Sequence, residues 1–510
     1  MDVEQLKEDV RQGRIEADRL ADLLVSALRQ LEEAKRRNRE LEEEVKQLKQ
    51  SQTVKLEESY SVAAEEKRQE ARGKKPQKPK RSKKRRGRIT TAEKIAQAVR
   101  TEAVYPEGLA AEDCWLSHTR PVWRLEGGQA VLVAYDIYRG PKNQYGKIPN
   151  VLGRSEFGLE IIVTIAHLVY IVGLSFDKVC LLLNFFQNLK LRKSQVDALL
   201  NQLSRHWEDE FDTLCTLLAN SAVVHTDETS WSLKSVWAFL SEQVRLLFFG
   251  VHKDAETLEQ ILDPATFPGV LISDDASVYR NFTQSQKCWA HLLRKAIKLT
   301  LLEPDVEEYR QFTDRLLEIY RKACRVQRDK RFSEAGRVAR VAELEDEVLD
   351  LVAPMWALDL PPHQEGALED YRLLCNEMMR LLLDQQLFVF VTAPPTTAPN
   401  GKTQPVAGTN NESERTLRNP ATARATGRTN KTAQGARRQT VMTSVLESTR
   451  QYLLEFTLTT LLAEIERWTR RGRSCFTDQL HKLKRAGQVQ FQERENSVLD
   501  SLLPLPTGNP

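Results

Sequence analysis

Ser221-Ala-Val-Val-His-Thr-Asp227-Glu-Thr-Ser230 is the stretch that decides the fold. A short run of β-branched and apolar residues ends in an acid and then turns polar. That is the pattern of a buried central strand delivering a carboxylate where it leaves the core. Gly269-Val-Leu-Ile-Ser-Asp274-Asp275 repeats the arrangement. Two strands that each end in an acid predict a shared metal site, provided a third acid joins them. Outward from Asp227 the apolar period is two. Strands are expected at 222–227, 235–241 and 244–251, then a helix near 255–262 and a strand at 269–274. A short helix near 276–282, a strand at 286–290 and a helix from His291 to Leu302 follow. Three strands, a helix and further alternation predict a mixed sheet covered by helices.

Upstream, residues 155–220 are helical in pattern throughout. Ser175 is expected to cap a helix to about Phe186, and Ser194 a second helix to about Trp207. Lys190, Arg192, Lys193 and Gln195 stand where the second helix begins, so the pair resembles a helix–turn–helix with its second helix in a major groove. An ordinary helical hairpin would carry the same pattern. Residues 91–154 form a small mixed segment, with a helix at Thr91–Arg100 and a strand at Ala130–Tyr138.

Residues 3–48 carry a heptad whose seams hold Val3, Val10, Ala17, Leu24, Leu31, Asn38 and Val45, and Leu6, Gly13, Leu20, Ala27, Ala34, Leu41 and Leu48. A parallel coiled-coil dimer is predicted, with Asn38 fixing register. From Arg72 to Arg88, eleven of seventeen residues are Lys or Arg and none is acidic. Such a segment cannot build a core, and each exposed cation can replace a counterion on a phosphate backbone.

Downstream, 305–391 reverts to charged amphipathic helices, 392–409 is a Pro/Thr/Gly loop, and a basic helical part runs to a Pro-rich end from Leu503, expected to fray. The chain has 510 residues and a formal charge of +4, too long for one core. The charged first residues do not read as a secretory signal. The longest apolar run, 159–174, holds Glu160 and His167 and is too short to span a bilayer. Seven scattered cysteines form no Cys-x-x-Cys pair, which argues for a reducing cytosol and against a disulfide framework.

After the loop comes Thr409-Asn-Asn-Glu412-Ser-Glu414-Arg-Thr-Leu-Arg418. With it, five strings in order resemble the insertion-sequence-66 family of transposases over roughly residues 150–450. They are Asp227-Glu228-Thr229, Asp274 with Tyr279, Cys288-Trp289-Ala290-His291 before Arg294-Lys295, Asn410-Asn411 with Glu414-Arg415 and Leu417-Arg418, and Gly427-Arg428-Thr429-Asn430 with Gly435-Ala436-Arg437. The resemblance implies a ribonuclease-H-like DDE domain in which Asp227, Asp274 and Glu414 hold two Mg²⁺ (or Mn²⁺) ions, with Tyr279, His291 and Asn410 in support. Glu412 and Glu414 lie about 200° apart on a helix, so only one faces the site. Asn410, Glu414, Leu417 and Arg418 share a face, which favours Glu414. Asp275 replaces the family's glycine and could compete with Asp274 as ligand. Thr409 stands where the family has an acid. Cys114 alone remains of the cysteine segment that relatives carry, so no structural zinc is expected.

The expected whole is a multidomain α plus α/β protein. It comprises a coiled coil (1–50), a basic linker (51–90), the mixed segment (91–154) and a helix–turn–helix-like region (155–220). A ribonuclease-H-like core (221–304 and 396–450) follows, interrupted by an all-helical insertion (305–395), then a helical tail (451–510). It would be a homodimeric transposase in the cytoplasm at the nucleoid, binding double-stranded DNA, with small accessory proteins as further partners. DNA contacts are expected from Lys80, Arg81, Lys83, Lys84, Arg85 and Arg86 in the linker, and from Arg192, Lys193 and Gln195. Arg415, Arg418, Arg424, Arg428 and Arg437 complete that set. The competing readings are a nuclease without strand transfer and an inactive DNA-binding regulator that keeps the fold.

Overall fold

A computed structural model of the chain describes residues 36–37, 89–232, 234–356, 366–430, 432–486 and 497–504. The chain divides into two units, 1–88 and 89–510. The heptad and the basic linker, including Lys80, Arg81, Lys83, Lys84, Arg85 and Arg86, belong to the first. They lie outside the described residues except for Arg36 and Arg37, which are helical.

The second unit is mixed α/β. Helix α1 (Thr91–Ala96) precedes a three-stranded sheet of β1 (Arg100–Val104), β2 (Trp115–Glu126) and β3 (Gln129–Arg139), ordered β1-β3-β2. The helix expected to reach Arg100 stops at Ala96 because Arg100–Val104 instead pairs in parallel with Val133–Ile137. β2 turns into β3 through Gly127 and Gly128, both at positive φ, as a two-residue hairpin requires.

Helix α2 (Leu159–Ala166) widens into a π turn over His167–Ile171. Helices α3 (Phe176–Gln187), α4 (Lys193–His206) and α5 (Glu208–Ala219) follow. Ser175 caps α3 as expected. Ser194 does not cap α4. The Gln195 side-chain oxygen accepts from the Arg192 N–H at 3.0 Å, so the helix begins one residue before Ser194. The stripe Val196, Leu199, Leu200 and Leu203 turns inward and is buried.

The central sheet comprises β4 (Val223–Trp231), β5 (Lys234–Ser241) and β6 (Arg245–Val251), then, after α6 (Ala255–Ile261), β7 (Val270–Ser273) and β8 (Ser285–Lys287). The order is β6-β5-β4-β7-β8. β4, β5 and β6 are antiparallel neighbours, whereas β7 runs parallel to β4 and β8 parallel to β7. Gly269 makes the approach of β7 to β4 possible, since a Cβ there would lie 2.4 Å from the Ser221 carbonyl. Side chains alternate between faces. Val224, Trp237, Phe239, Leu246 and Phe248 join a large core that runs from Phe157 to Leu503, while Val236, Ala238, Leu247 and Phe249 pack on the other face.

Helices α7 (Trp289–Leu302), α8 (Glu307–Arg328), α9 (Glu334–Trp356), α10 (Ala367–Leu383) and α11 (Val389–Thr392) share a second core reaching Val223 and Ile272 of the sheet. The following loop contains only a two-residue hairpin, β9 (Thr396–Thr397) with β10 (Thr403–Gln404). Helices α12 (Asn411–Ala425), α13 (Ala433–Tyr452), α14 (Leu458–Arg471), α15 (Cys475–Arg485) and α16 (Val498–Leu502) complete the described chain. Of the end expected to fray from Leu503, Leu503 itself is buried and its carbonyl accepts from Arg437 at 3.2 Å, while 505–510 lie outside the described residues.

Helix α13 closes the outer edge of β6 with hydroxyls. Thr440, Ser444 and Ser448 accept from the N–H groups of Phe249, Leu247 and Arg245 at 3.0, 3.0 and 2.9 Å. The match is geometric. Four helical residues advance about 6 Å and two strand residues about 6.7 Å, so hydroxyls at i, i+4 and i+8 meet alternate strand amides. An edge that would otherwise offer unpaired amides is thereby covered. Ser444→Ala strands the buried Leu247 N–H and is expected to cost about 1–3 kcal/mol, read as a lower urea midpoint with an unchanged m-value.

Candidate active site

β4 pairs with β5 from Val224 to Trp231 but with β7 only over Val223–His225. Beyond His225 the strand continues, contrary to the expected end at Asp227, while its β7-side edge no longer pairs with a strand. The last parallel rung joins His225 to Ile272, so two residues further along each chain come Asp227 and Asp274. Both acids therefore stand at the mouth of the fork between β4 and β7, on the face that carries Val223 and Ile272.

Helix α12 fills that fork. Its N-cap, Asn410, is fully buried and donates from its side-chain amide to the Thr226 carbonyl at 2.7 Å. Its backbone N–H donates to Cys288 Sγ at 3.1 Å. About two turns in, Leu417 packs with Trp231, Val236, Ala238, Leu247 and Phe249, which lays the helix over the face that Asp227 shares. Glu414 falls between these anchors, half-buried. Glu412 points away and pairs with Arg245 of β6, as the angle between the two acids requires. Arg418, expected on the inner face with Glu414, is exposed.

The charges are crowded. Burial, then the neighbouring Glu228 charge, pushes Asp227 up to about 7. Asp274 and Glu414 add to the rise, and the Glu228 N–H, donating to Asp227 at 2.9 Å, opposes it. Among the described residues neither Asp227 nor Asp274 has an ion-pair partner. The other acids do. Glu228 is nearly sealed, paired with Lys253 at 2.5 Å and accepting from the Tyr279 hydroxyl. Asp275, the alternative to Asp274, pairs with Arg380 at 2.5 Å. Glu414 receives a two-pronged contact from Arg294 at 2.9 and 3.2 Å and faces His291 at 3.7 Å. Lys287, buried under the fork, donates to Ser273 Oγ at 3.1 Å, and burial pulls it down to about 8.

A model of the transposase IS66 family matches residues 154–438, more than half of the chain. The chain belongs to that family. No curated protein matches it. As an IS66-family transposase the protein is a nucleic-acid-processing enzyme that works on DNA, and the matched span contains all three acids, the fork and α12. Among the described residues no helix is long and apolar enough to cross a membrane.

The basic residues expected to meet DNA are not equivalent in the IS66 fold. Arg415 and Arg418 are exposed on α12 with no ion-pair partner among the described residues. Arg424 bonds the Ser230 carbonyl at 2.8 Å, and Arg428 bonds the Gly173 carbonyl; both remain exposed. Arg192 is exposed, Lys193 pairs with Asp177 at 2.7 Å, and the Gln195 carbonyl is spent on the α4 start. Arg437 must be withdrawn. Its buried guanidinium is held by Glu208, by Asp500 at 2.6 Å and by the Leu503 carbonyl. Arg438 is likewise consumed by Tyr170, Asp197 and Asn201. Sequence reading missed the Glu228–Lys253–Tyr279 network and the Arg294 clamp. The available signals were Glu228, an acid in the strand on the face opposite Asp227, and Tyr279 and Arg294, which stand in the family strings.

Proposed function

We propose that this transposase cuts and joins DNA strands at a metal centre built from Asp227, Asp274 and Glu414. The single observation that carries the reading is the convergence of two strands and α12 on one fork, where Asp227 and Asp274 have no ion-pair partner among the described residues and repel each other. The mixed sheet, antiparallel on one side of β4 and parallel on the other, supports the ribonuclease-H-like reading of the core. The donors are all carboxylate oxygens, the set that suits hard Mg²⁺ or Mn²⁺. Asp227, Asp274 and Glu414 would hold two such ions, whose chemistry would be activation of the attacking water or 3′-hydroxyl and stabilisation of the leaving oxygen in an in-line displacement at phosphorus.

The chain's own residues do the positioning. Asn410 fixes the start of α12 to β4, so Glu414 is presented at a constant height above Asp227. Tyr279 and Lys253 hold Glu228 on the opposite face and keep the strand from twisting out of register. Arg294 parks Glu414, and a DNA phosphate arriving at Arg294 would free the carboxylate to turn toward Asp227. Arg415 and Arg418 offer unpaired cations beside the fork to the strand backbone. Dimerisation through the heptad would bring two ends together, one fork serving each.

Donor DNA with transposon ends, Mg²⁺ and purified protein test the reading. Cleaved ends and joined products are expected. Cleavage with no joining when free 3′-hydroxyl ends are supplied would favour a nuclease, and DNA binding without either would favour the regulator.

A further inference from the structure

We propose that Cys288, His291 and Glu414 form a binding site for one soft divalent transition-metal ion of the zinc class. It differs in chemistry from the all-carboxylate fork but shares Glu414 with it. Cys288-x-x-His291 at the start of α7 is half of such a site by spacing alone. The fold supplies the other half, because the N-termini of α7 and α12 meet. Donor atoms of all three side chains lie within 4.8 Å of one another. Two further observations point to a ligand. His291 Nδ1 is buried and has no hydrogen-bond partner among the described residues. Glu414 Oε1 faces Nε2, the other ring nitrogen of His291, at 3.7 Å, with Arg294 Nη1 3.5 Å from that nitrogen and Nη2 2.9 Å from Oε2.

The donor set selects the ion. One sulfur, one imidazole nitrogen and one carboxylate oxygen match zinc-class ions, and three protein ligands leave the fourth position open. Hard Mg²⁺ does not take a thiol. Bonds of about 2.0–2.3 Å at tetrahedral angles place ligand atoms about 3.3–3.5 Å apart, so the three donors need to close by only about 1 Å. Binding converts the Cys288 S–H to a thiolate, the proton leaving to solvent. Arg294 can stay on Oε2 and orient the ligating carboxylate. The site stands on these three side chains. Its consequence, that an ion here withdraws Glu414 and blocks strand cleavage, rests on the reading of Glu414 as the third acid.

The full chain, stripped of metal, is titrated with Co²⁺. A thiolate-to-cobalt absorption band saturating at one equivalent is expected. It should be lost in Cys288→Ser, weakened at least about 10-fold in affinity in His291→Gln, unchanged in Cys180→Ser and displaced by Zn²⁺. Absence of the band, or its persistence in Cys288→Ser, overturns the site. Should Cys288→Ser fail to fold, the half-exposed His291→Gln decides alone, and undiminished affinity there overturns it. Zn²⁺ should then inhibit Mg²⁺-supported cleavage by the parent chain but not by Cys288→Ser. A Cys288-dependent band without inhibition would leave the site standing and remove Glu414 from the Mg²⁺ centre.

Discussion

Asp227→Asn is expected to abolish strand cleavage and joining, by at least about 10³-fold or roughly 4 kcal/mol in the barrier, while DNA binding survives. The change is isosteric and keeps the acceptor for the Glu228 N–H. It removes one of the three charges proposed to hold the cations, and Mn²⁺ should not rescue it. The same variant should fold at least as well as its parent at pH 8. Asp227 lies at about 7 when folded, far above its ordinary value, so the metal-free folded state retains a proton that the unfolded chain releases near pH 4. The stabilisation is full below pH 4 and is lost as pH rises through about 7. In chelator, therefore, thermal midpoints of the parent should fall between pH 5 and 8 more steeply than those of Asp227→Asn. Equal slopes together with retained cleavage would show that Asp227 is neither crowded nor engaged with metal.

Arg437→Ala is expected to cost about 3 kcal/mol of stability without altering DNA affinity per folded molecule. Arg437 is 5 % exposed, and its guanidinium joins α13 to α5 through Glu208 and to α16 through Asp500 and the Leu503 carbonyl. Truncation leaves the part-buried Glu208 carboxylate and the Leu503 carbonyl without their donor. Arg437→Lys should recover only part of the loss, because an ammonium cannot reproduce the fork on Glu208. Arg415→Ala and Arg418→Ala should behave in the opposite way. Their stabilities stay level, and each lowers the salt dependence of DNA binding by about one counterion. A change in salt slope for Arg437→Ala at unchanged stability would restore it to the DNA-binding surface.

The central strands were legible because their apolar period of two survives in the folded sheet. Strands 235–241 and 244–251 fall within one residue of β5 and β6. β4 was read too short for a physical reason. From Thr226 onward it is paired on the β5 side only, so its residues turn polar while the backbone stays extended. Asp227 and Asp274 were legible as strand-associated acids, and Glu414 as the acid on the Asn410–Leu417 face. The basic residues were not separable by sequence. Arg428 and Arg437 look alike in the chain, and burial of the second depends on Glu208, 229 residues away, and on α16. The Thr440–Ser444–Ser448 ladder was equally silent, since hydroxyls every fourth residue signal nothing until a strand edge lies beside them.

The most direct test is anomalous scattering from crystals of the protein bound to a transposon end and soaked in Mn²⁺. Manganese peaks between Asp227 and Asp274, with Glu414 released from Arg294 and turned onto the metal, are the expected result. Peaks elsewhere, with Glu414 still clamped by Arg294 and far from both aspartates while DNA occupies the fork, would contradict it.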